Sequence, residues 1–285
     1  MDNRQAIIFS LWMGTILAWI SACAPVNTPT PTPNPTASLT PTLFTPRIAE
    51  STPTPHQCQE QRGQVKKRAF DSIALPQYQL YLPPCYDFDP ERYYPVLYLL
   101  HGAGFTDEQW IRLGTAEKAD ALIAAGEMPP IIIVMPYDKY STYLVDDDDF
   151  GEVFVEDFLP YIDENFRTDR RAIGGLSRGA GWAIHYGLTR WELFSAIGAH
   201  SAAIFKGDKS KLDDWLAAIP AEQIPAIYLD TGDQDPDWRI TLSFADLLTE
   251  MGIPHEWRFF TGTHDEDYWH AHIEAYLRWY GKVLR

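Results

Sequence analysis

Residues 171–181 read RAIGGLSRGAG, a glycine-rich stretch with one serine. Its central segment, from Gly175 to Gly179, follows the pattern G-x-S-x-G with Ser177 in the middle. Apolar residues precede the pattern and small residues follow it, which predicts a short strand, a sharp turn and a helix. Glycines on both sides of a serine let the chain turn abruptly, so that the hydroxyl projects above the sheet. The stretch therefore predicts a serine placed for nucleophilic attack.

The rest of the domain alternates short apolar runs with amphipathic stretches, which is typical of a parallel sheet covered by helices on both faces. Residues 94–100 (YPVLYLL) and 131–135 (IIIVM) have the composition of buried parallel strands. Thr106 is the predicted cap of the first helix, with Gln109 at the capping-box position. This order predicts one domain of the α/β-hydrolase fold. Further strands are predicted at 73–81, 171–174, 196–199, 226–229 and 255–260, and helices at 106–125, 152–166, 180–187, 238–251 and 268–283.

A second glycine-rich turn, His101-Gly102-Ala103-Gly104, follows the apolar strand at 94–100. A turn of this kind supplies one backbone N–H to an oxyanion hole, and the residue after the nucleophile supplies another. The sequence therefore predicts the N–H groups of Ala103 and Arg178 as the two donors. The alternative is a turn that needs its glycines only for tight packing. No chemical role is predicted for the Arg178 side chain.

The chain contains eight histidines, and their positions in the predicted fold separate them. Ligands bind at the carboxyl ends of parallel strands. His264 lies directly after the strand at 255–260 and before the last helix, in the loop where a general base belongs. A structural role is expected for His101 in the glycine-rich turn, and His200 follows another strand end and is a second pocket candidate. The predicted base is His264. Three other histidines lie on predicted helices: His185, His270 and His272.

The acidic partner of His264 should follow the strand at 226–229. A buried carboxylate there would accept a hydrogen bond from the imidazole Nδ1 and fix its tautomer. Residues 230–237 read DTGDQDPD, so the loop offers four carboxylates. Spacing alone does not choose among Asp230, Asp233, Asp235 and Asp237.

Four segments, LYLLHGAG, GGLSRGAG, YLDTGDQDP and GTHDEDYW, together resemble the esterase D-like "putative esterase" family. This family includes feruloyl and acetylxylan esterases, S-formylglutathione hydrolases and mycobacterial mycolyltransferases, and the resemblance runs from about Phe70 to the C-terminus. It implies Asp235 as the acid, since that residue closes the family's G-x-x-D turn, with Asp233 as the second candidate. It also implies Trp269 as the aromatic residue that follows the catalytic histidine. No cofactor or metal is implied.

The expected function is hydrolysis of a carboxylic ester through an acyl-enzyme, on an extracellular carbohydrate or another ester. Acyl transfer to a sugar or lipid alcohol uses the same groups, and an inactive surface binding protein would keep the fold, so both alternatives stay open. The sequence departs from the family at two places, of which the second, the loop at 137–150, leaves the substrate unidentified. Cys85 stands where the family often has glycine, and the loop at 137–150 is acidic and aromatic.

The formal net charge is −16, which disfavours nucleic acid as a partner because a phosphate backbone would be repelled. Four consecutive carboxylates, Asp146 to Asp149, are concentrated in one loop. Such oxygens suit a hard cation, but the loop lacks EF-hand spacing and a turn glycine. A solvated loop is therefore expected there, with a calcium site as the alternative. The sequence does not indicate an oligomeric state.

The first 57 residues are expected to direct and tether the domain, which spans 58–285. Residues 1–22 carry Arg4 and then an apolar run that fits a signal peptide and is short for a membrane span. The run ends in ISAC, which resembles a lipobox and makes Cys23 the predicted lipidation site, a plain secretory signal being the alternative. Residues 23–57 are rich in Thr and Pro, which predicts a semi-extended tether. A bacterial lipoprotein at the cell surface is therefore expected, with membrane contact through the lipid anchor only.

The two remaining cysteines, Cys58 and Cys85, form an even pair in a chain expected to be exported. Oxidising compartments favour disulfides, so this pair predicts a bridge from the start of the domain to the segment at 81–85. Two free buried thiols are the alternative.

Overall fold

The structure is a computed structural model, and it describes Cys58, residues 61–140 and residues 149–285. The predicted signal peptide, the predicted lipidation residue Cys23 and the tether lie outside the described residues. Three of the four carboxylates of the acidic run also lie outside them, since only Asp149 is described. Within the described part of the chain, no helix combines the length and the apolar character needed to cross a membrane.

The described residues contain eight strands in one sheet, in the order β1-β2-β4-β3-β5-β6-β7-β8. The second strand pairs antiparallel with the first and the fourth, and every other neighbouring pair is parallel. This is the mostly parallel sheet that the sequence predicts. The strands are β1 (Gln64–Ala69), β2 (Gln77–Leu82), β3 (Tyr94–Leu100), β4 (Ile132–Pro136), β5 (Thr168–Leu176), β6 (Ala196–His200), β7 (Ala226–Gly232) and β8 (His255–Phe260).

Helices cover both faces of the sheet. Their side chains and those of the sheet form two separate hydrophobic cores, one with the helices within 109–124 and 266–283, and the other with the helices within 149–250. Alternate residues of β3 enter opposite cores, since Leu97 lies in the first and Tyr98 in the second. The described helices are α1 (Gln109–Arg112), α2 (Thr115–Ala124), α3 (Asp149–Val153), α4 (Leu159–Asn165), α5 (Arg178–Thr189), α6 (Leu212–Ala218), α7 (Trp238–Glu250) and α8 (Glu266–Val283), with a π-helical turn at Phe154–Phe158.

The first helix differs from its prediction. A continuous helix over 106–125 is expected, but Gly114, with φ of 81°, separates α1 from α2. The predicted capping box is also wrong, because the side-chain oxygen of Gln109 accepts the N–H of Gly102 at 2.8 Å instead. Gln109 therefore braces the glycine-rich turn after β3. Two described elements, β1 and α6, have no counterpart in the sequence-based prediction.

A disulfide joins Cys58 to Cys85, with their Cα atoms 5.1 Å apart, as the even pair of cysteines predicts. Cys85 has a φ of 66°, in the left-handed region that glycine adopts without steric cost. In this chain, the bridge holds a cysteine in that conformation.

Candidate active site

Ser177 occupies a sharp turn between β5, which ends at Leu176, and α5, which begins at Arg178. Its φ of 52° and ψ of −113° lie outside the regions that side-chain-bearing residues favour. The Ser177 N–H donates to the carbonyl of His200 at 2.9 Å, and the Ser177 carbonyl accepts the N–H of Ala203 at 3.1 Å. Backbone strain of this kind persists where the surrounding structure fixes it, and it is concentrated at functional sites.

Close backbone approach explains the two glycines of the pattern. A Cβ atom on Gly175 would lie 2.2 Å from the carbonyl carbon of Gly179. A Cβ atom on Gly179 would lie 2.2 Å from the carbonyl oxygen of Leu100, the last residue of β3. The turn at Ser177 therefore packs directly against the chain that leads into the glycine-rich turn at 101–104.

His264 lies between Ser177 and Asp235. Its Nε2 is 2.8 Å from Ser177 Oγ, and its Nδ1 is 2.8 Å from Asp235 Oδ2. Because a carboxylate only accepts, Nδ1 carries the proton and Nε2 accepts from the serine hydroxyl. The Trp269 ring packs against the imidazole in an edge-to-face pair, with centroids 5.2 Å apart. The structure thus brings together the predicted serine, histidine and aspartate, from the ends of three different strands.

Asp235 is 1% exposed and accepts two further hydrogen bonds. Thr231 Oγ1 donates to its Oδ2 at 3.0 Å, and the Asp237 N–H donates to its Oδ1 at 2.8 Å. Burial raises the pKa of Asp235, but the hydrogen bonds, of which that from His264 is the largest, bring this pKa below its ordinary value. The side chain is therefore a carboxylate near neutral pH.

The other three carboxylates of the loop have different partners. Asp233 is exposed, and its Oδ1 accepts the N–H of Gly262 at 3.0 Å, which fastens the chain before His264. Asp230 is fully buried against His200. Asp237 is exposed, and its backbone N–H donates to Asp235.

The glycine-rich turn is braced by His101, which is 4% exposed. His101 Nδ1 lies 2.8 Å from the carbonyl of Gly102, and its Nε2 accepts the N–H of Asp138 at 3.0 Å. Burial lowers the pKa of His101 to about 4, so the ring is neutral at pH 7. His101 has the structural role expected from the sequence, and Ala103, which follows its acceptor Gly102, lies partly exposed on the turn.

The Arg178 side chain points into the protein, where it is 2% exposed. Its Nη2 forms an ion pair with Asp138 Oδ2 at 2.9 Å, and the Trp182 indole N–H donates to the same oxygen at 3.1 Å. The sequence gives no role to Asp138, although its place directly after the β4 strand is a recognisable signal. This buried pair ties the loop after β4 to the helix that begins at the nucleophile turn.

Comparisons with known proteins identify the family of the chain. Residues 76–280 match the model of a family described as "Putative esterase". The chain belongs to this esterase family. It is 29% identical over 188 residues to an endo-1,4-beta-xylanase/feruloyl esterase of Xylanibacter ruminicola, a match that covers 58% of this chain and 25% of that protein. It is 35% identical over 152 residues to Esterase Rv1288 of Mycobacterium tuberculosis, covering 50% of this chain and 31% of the relative. The chain therefore matches only about a quarter to a third of the length of these esterases.

Solved structures of esterases and serine hydrolases share the fold. A ferulic acid esterase has a TM-score of 0.69 and 28% identity, with 79% of this chain and 99% of that chain covered. The fluorophosphonate-binding serine hydrolase FphF of Staphylococcus aureus has a TM-score of 0.65 and 19% identity, with 79% of this chain and 100% of that chain covered. The esterase-family domain described here therefore has the α/β-hydrolase fold.

The side chains of three further histidines have partners other than Ser177. His200, the second pocket candidate, is fully buried beneath the site and does not line a pocket. His185 pairs with Asp208 at 2.8 Å, and His270 Nδ1 lies 3.0 Å from the carbonyl of Leu113. Across Cys58, 61–140 and 149–285, no three His, Cys, Asp or Glu side chains are grouped in a way that could hold a metal ion.

Proposed function

We propose that this domain is a serine carboxylic-ester hydrolase that works through an acyl-enzyme on Ser177. The observation that carries the proposal is the position of the His264 imidazole, 2.8 Å from both Ser177 Oγ and Asp235 Oδ2. A histidine that accepts from a serine and donates to a buried carboxylate is arranged as a general base. Membership in the esterase family supports the reaction class.

In the proposed reaction, Ser177 Oγ attacks the ester carbonyl while His264 Nε2 takes the hydroxyl proton. The imidazolium is stabilised by Asp235, which accepts from Nδ1 throughout. His264 then gives its proton to the leaving alcohol, and the acyl group remains on Ser177. A water molecule then attacks the acyl group while His264 takes a proton from it. His264 gives this proton to Ser177 Oγ as the acyl bond breaks, which releases the free acid and restores the serine.

The backbone N–H groups of Ala103 and Arg178 are the proposed oxyanion donors. The Arg178 N–H is at the start of α5, where amides point along the helix axis away from the helix and towards negative charge. The close contact between Gly179 and the carbonyl of Leu100 supports a short distance from this amide to the glycine-rich turn. Gln109, His101 and the buried Arg178–Asp138 pair would keep these donors fixed before substrate arrives, which is the condition for strong charge stabilisation.

The proposed substrate is an ester between an aromatic acid and an extracellular carbohydrate. Support comes from the relatives named as a xylanase/feruloyl esterase and a ferulic acid esterase. The test compares kcat/KM for methyl ferulate and methyl acetate, with p-nitrophenyl acetate as an activity control. We expect methyl ferulate to be preferred by at least about tenfold, since each well-buried group of the acyl part contributes on the order of 1–3 kcal/mol to discrimination.

The same experiment separates the alternatives. Hydrolysis of p-nitrophenyl acetate without cleavage of methyl ferulate would keep the esterase and overturn the aromatic acyl class. Acylated sugar as the main product, when a sugar is added as acceptor, would establish transfer in place of hydrolysis. Failure on every ester would overturn the enzyme and favour a binding protein.

We also propose that the domain is exported and held at the cell surface by lipid on Cys23. Support comes from the sequence of residues 1–22 and from the disulfide, which is consistent with export. The full chain with Cys23→Ser should lose incorporation of labelled fatty acid and appear in the medium. Equal fatty-acid labelling of the two proteins would contradict the anchor.

A further inference from the structure

A second histidine–aspartate pair lies beneath the candidate active site. His200 Nδ1 is 2.6 Å from Asp230 Oδ1, and both side chains are fully buried. The other oxygen, Asp230 Oδ2, accepts the hydroxyl of Tyr268 at 2.6 Å and that of Tyr276 at 2.8 Å. A buried carboxylate needs such donors, and hydrogen bonds to an ionised acceptor are roughly twice as strong as neutral ones. Asp230 is therefore a fixed point on which three side chains converge.

This fixed point is connected to the nucleophile through the backbone. The carbonyl of His200 accepts the Ser177 N–H at 2.9 Å, and the Ser201 N–H donates to the carbonyl of Asp230 at 2.8 Å. The His200 ring also stacks on Tyr276, with centroids 3.7 Å apart. Backbone hydrogen bonds therefore hold the Asp230–His200 pair beside the turn that presents Ser177.

Tyr268 connects the same fixed point to the loop that carries His264. Its N–H donates to Asp265 Oδ1 at 3.0 Å, one residue after the histidine. Its ring packs against Gly262, two residues before the histidine, where a Cβ atom would lie 2.6 Å from the Tyr268 ring. The same loop is also bonded to the turn after β7, since Asp233 Oδ1 accepts the Gly262 N–H at 3.0 Å and the Gly262 carbonyl accepts the Gln234 N–H at 2.9 Å. Tyr268 adds the connection from this loop to the buried interior.

We propose that Tyr268 is a positioning residue for His264, and that its hydroxyl anchors the His264 loop to the buried Asp230–His200 pair. The proposal rests on the proposed function, because positioning matters only if His264 is the base. A base displaced by about 1 Å can lose about 10²-fold in rate. Burial also raises the pKa of Tyr268, as does the neighbouring Asp230, so the hydroxyl remains a donor throughout the working pH range.

Tyr276 provides a matched control. Its hydroxyl donates to the same oxygen of Asp230, but it lies about two helical turns further along α8 than Tyr268. Tyr268→Phe and Tyr276→Phe each remove one oxygen atom and one hydrogen bond to a buried carboxylate. Their costs in stability should therefore be similar, whereas only Tyr268→Phe releases the His264 loop.

The first experiment measures kcat, KM and the melting temperature of both variants with p-nitrophenyl acetate. We expect similar decreases in melting temperature, a fall of at least tenfold in kcat for Tyr268→Phe with KM within about twofold, and kcat within about threefold of wild type for Tyr276→Phe. Equal kcat values for the two folded variants, with an active wild type, would overturn the inference and leave the proposed function intact. A wild type that hydrolyses no ester and is not labelled on Ser177 would overturn both.

A double-mutant cycle tests whether Tyr268 acts through His264. Adding Tyr268→Phe to His264→Ala should leave the residual rate of Ser177 labelling by a fluorophosphonate unchanged, since the base is already absent. A further tenfold fall would instead show a role independent of His264 and overturn the inference.

A surface variant keeps the inference testable if Tyr268→Phe does not fold. Asp265→Ala removes the acceptor of the Tyr268 N–H at an exposed position, with Asp267→Ala in the same helical turn as its control. Asp265→Ala should lower kcat by at least about threefold more than Asp267→Ala. Equal kcat values would count against the anchor.

Discussion

The hydroxyl of Thr231 lies 3.0 Å from Asp235 Oδ2, the carboxylate oxygen that also accepts from His264. Thr231 is fully buried near the end of β7, and Asp235 follows it in the next turn. A second donor on the same oxygen restricts rotation of the carboxylate and favours its ionised form. The strand end therefore fixes the acid in the orientation that the histidine requires.

Replacement of Asp235 and of Asp233, the two leading candidates for the acid, should lower activity by different amounts. Asp235→Asn keeps the size of the side chain but presents an amide that favours the wrong imidazole tautomer, so kcat near neutral pH should fall by about 10⁴. Asp233→Asn keeps an oxygen that can accept from Gly262, so its kcat should stay within about tenfold of wild type. Turnover of one ester by both variants, with circular dichroism to confirm folding, is the measurement. A larger loss in Asp233→Asn would exchange the two roles.

Protonation of His101 should make the free energy of unfolding depend on pH. Its pKa is about 4 in the folded protein and near 6.5 in the unfolded chain, so the unfolded state binds the proton first as the pH falls. The stabilisation from neutral His101 is therefore complete above about pH 6.5 and is lost progressively down to about pH 4, by about 3 kcal/mol. Urea unfolding of wild type and His101→Gln across this range measures it. The stability difference between the two proteins should shrink as the pH falls, and a constant difference would contradict the assignment.

The buried pair of Arg178 and Asp138 should matter far more for stability than an exposed pair. Asp138→Asn leaves the Arg178 guanidinium without its carboxylate in the interior, which costs about 3–5 kcal/mol. Glu108→Gln removes the exposed partner of Lys67 and should cost less than about 1 kcal/mol. Urea unfolding gives both values. Similar costs for the two variants would mean that the Arg178 charge is solvated.

Local patterns identified most of the candidate site, and tertiary contacts supplied the rest. The G-x-S-x-G turn was predictable because its glycines are required by close backbone contacts, which lie within a few residues or on one neighbouring strand. The choice of Asp235 followed only from the family resemblance, because its contact with His264 spans 29 residues of sequence. Asp138 was missed since its partner Arg178 is 40 residues away. The edge strand β1 was not predicted, because its largely exposed residues show no alternation of apolar and polar side chains.

The disulfide between Cys58 and Cys85 predicts a linked peptide pair and a difference in stability between two double variants. A non-reduced digest should contain Cys58 and Cys85 in one linked peptide pair, and loss of the bridge should cost about 2–4 kcal/mol. The Cys85 backbone is in the left-handed region, which glycine adopts more easily than alanine. The double variant Cys58→Ala/Cys85→Gly should therefore be about 1 kcal/mol more stable than Cys58→Ala/Cys85→Ala. Alkylation of both thiols in native, unreduced protein would refute the bridge.

Ser177 is the proposed nucleophile of this ester hydrolase. The most direct measurement is reaction with a fluorophosphonate, followed by intact mass and peptide mapping, beside turnover of p-nitrophenyl acetate by wild type and Ser177→Ala. We predict one adduct per chain, located on Ser177, no adduct in Ser177→Ala, and a fall in turnover of about 10⁵ to 10⁶ in that variant. An adduct on a different serine, or hydrolysis that persists in Ser177→Ala, would show that Ser177 is not the nucleophile.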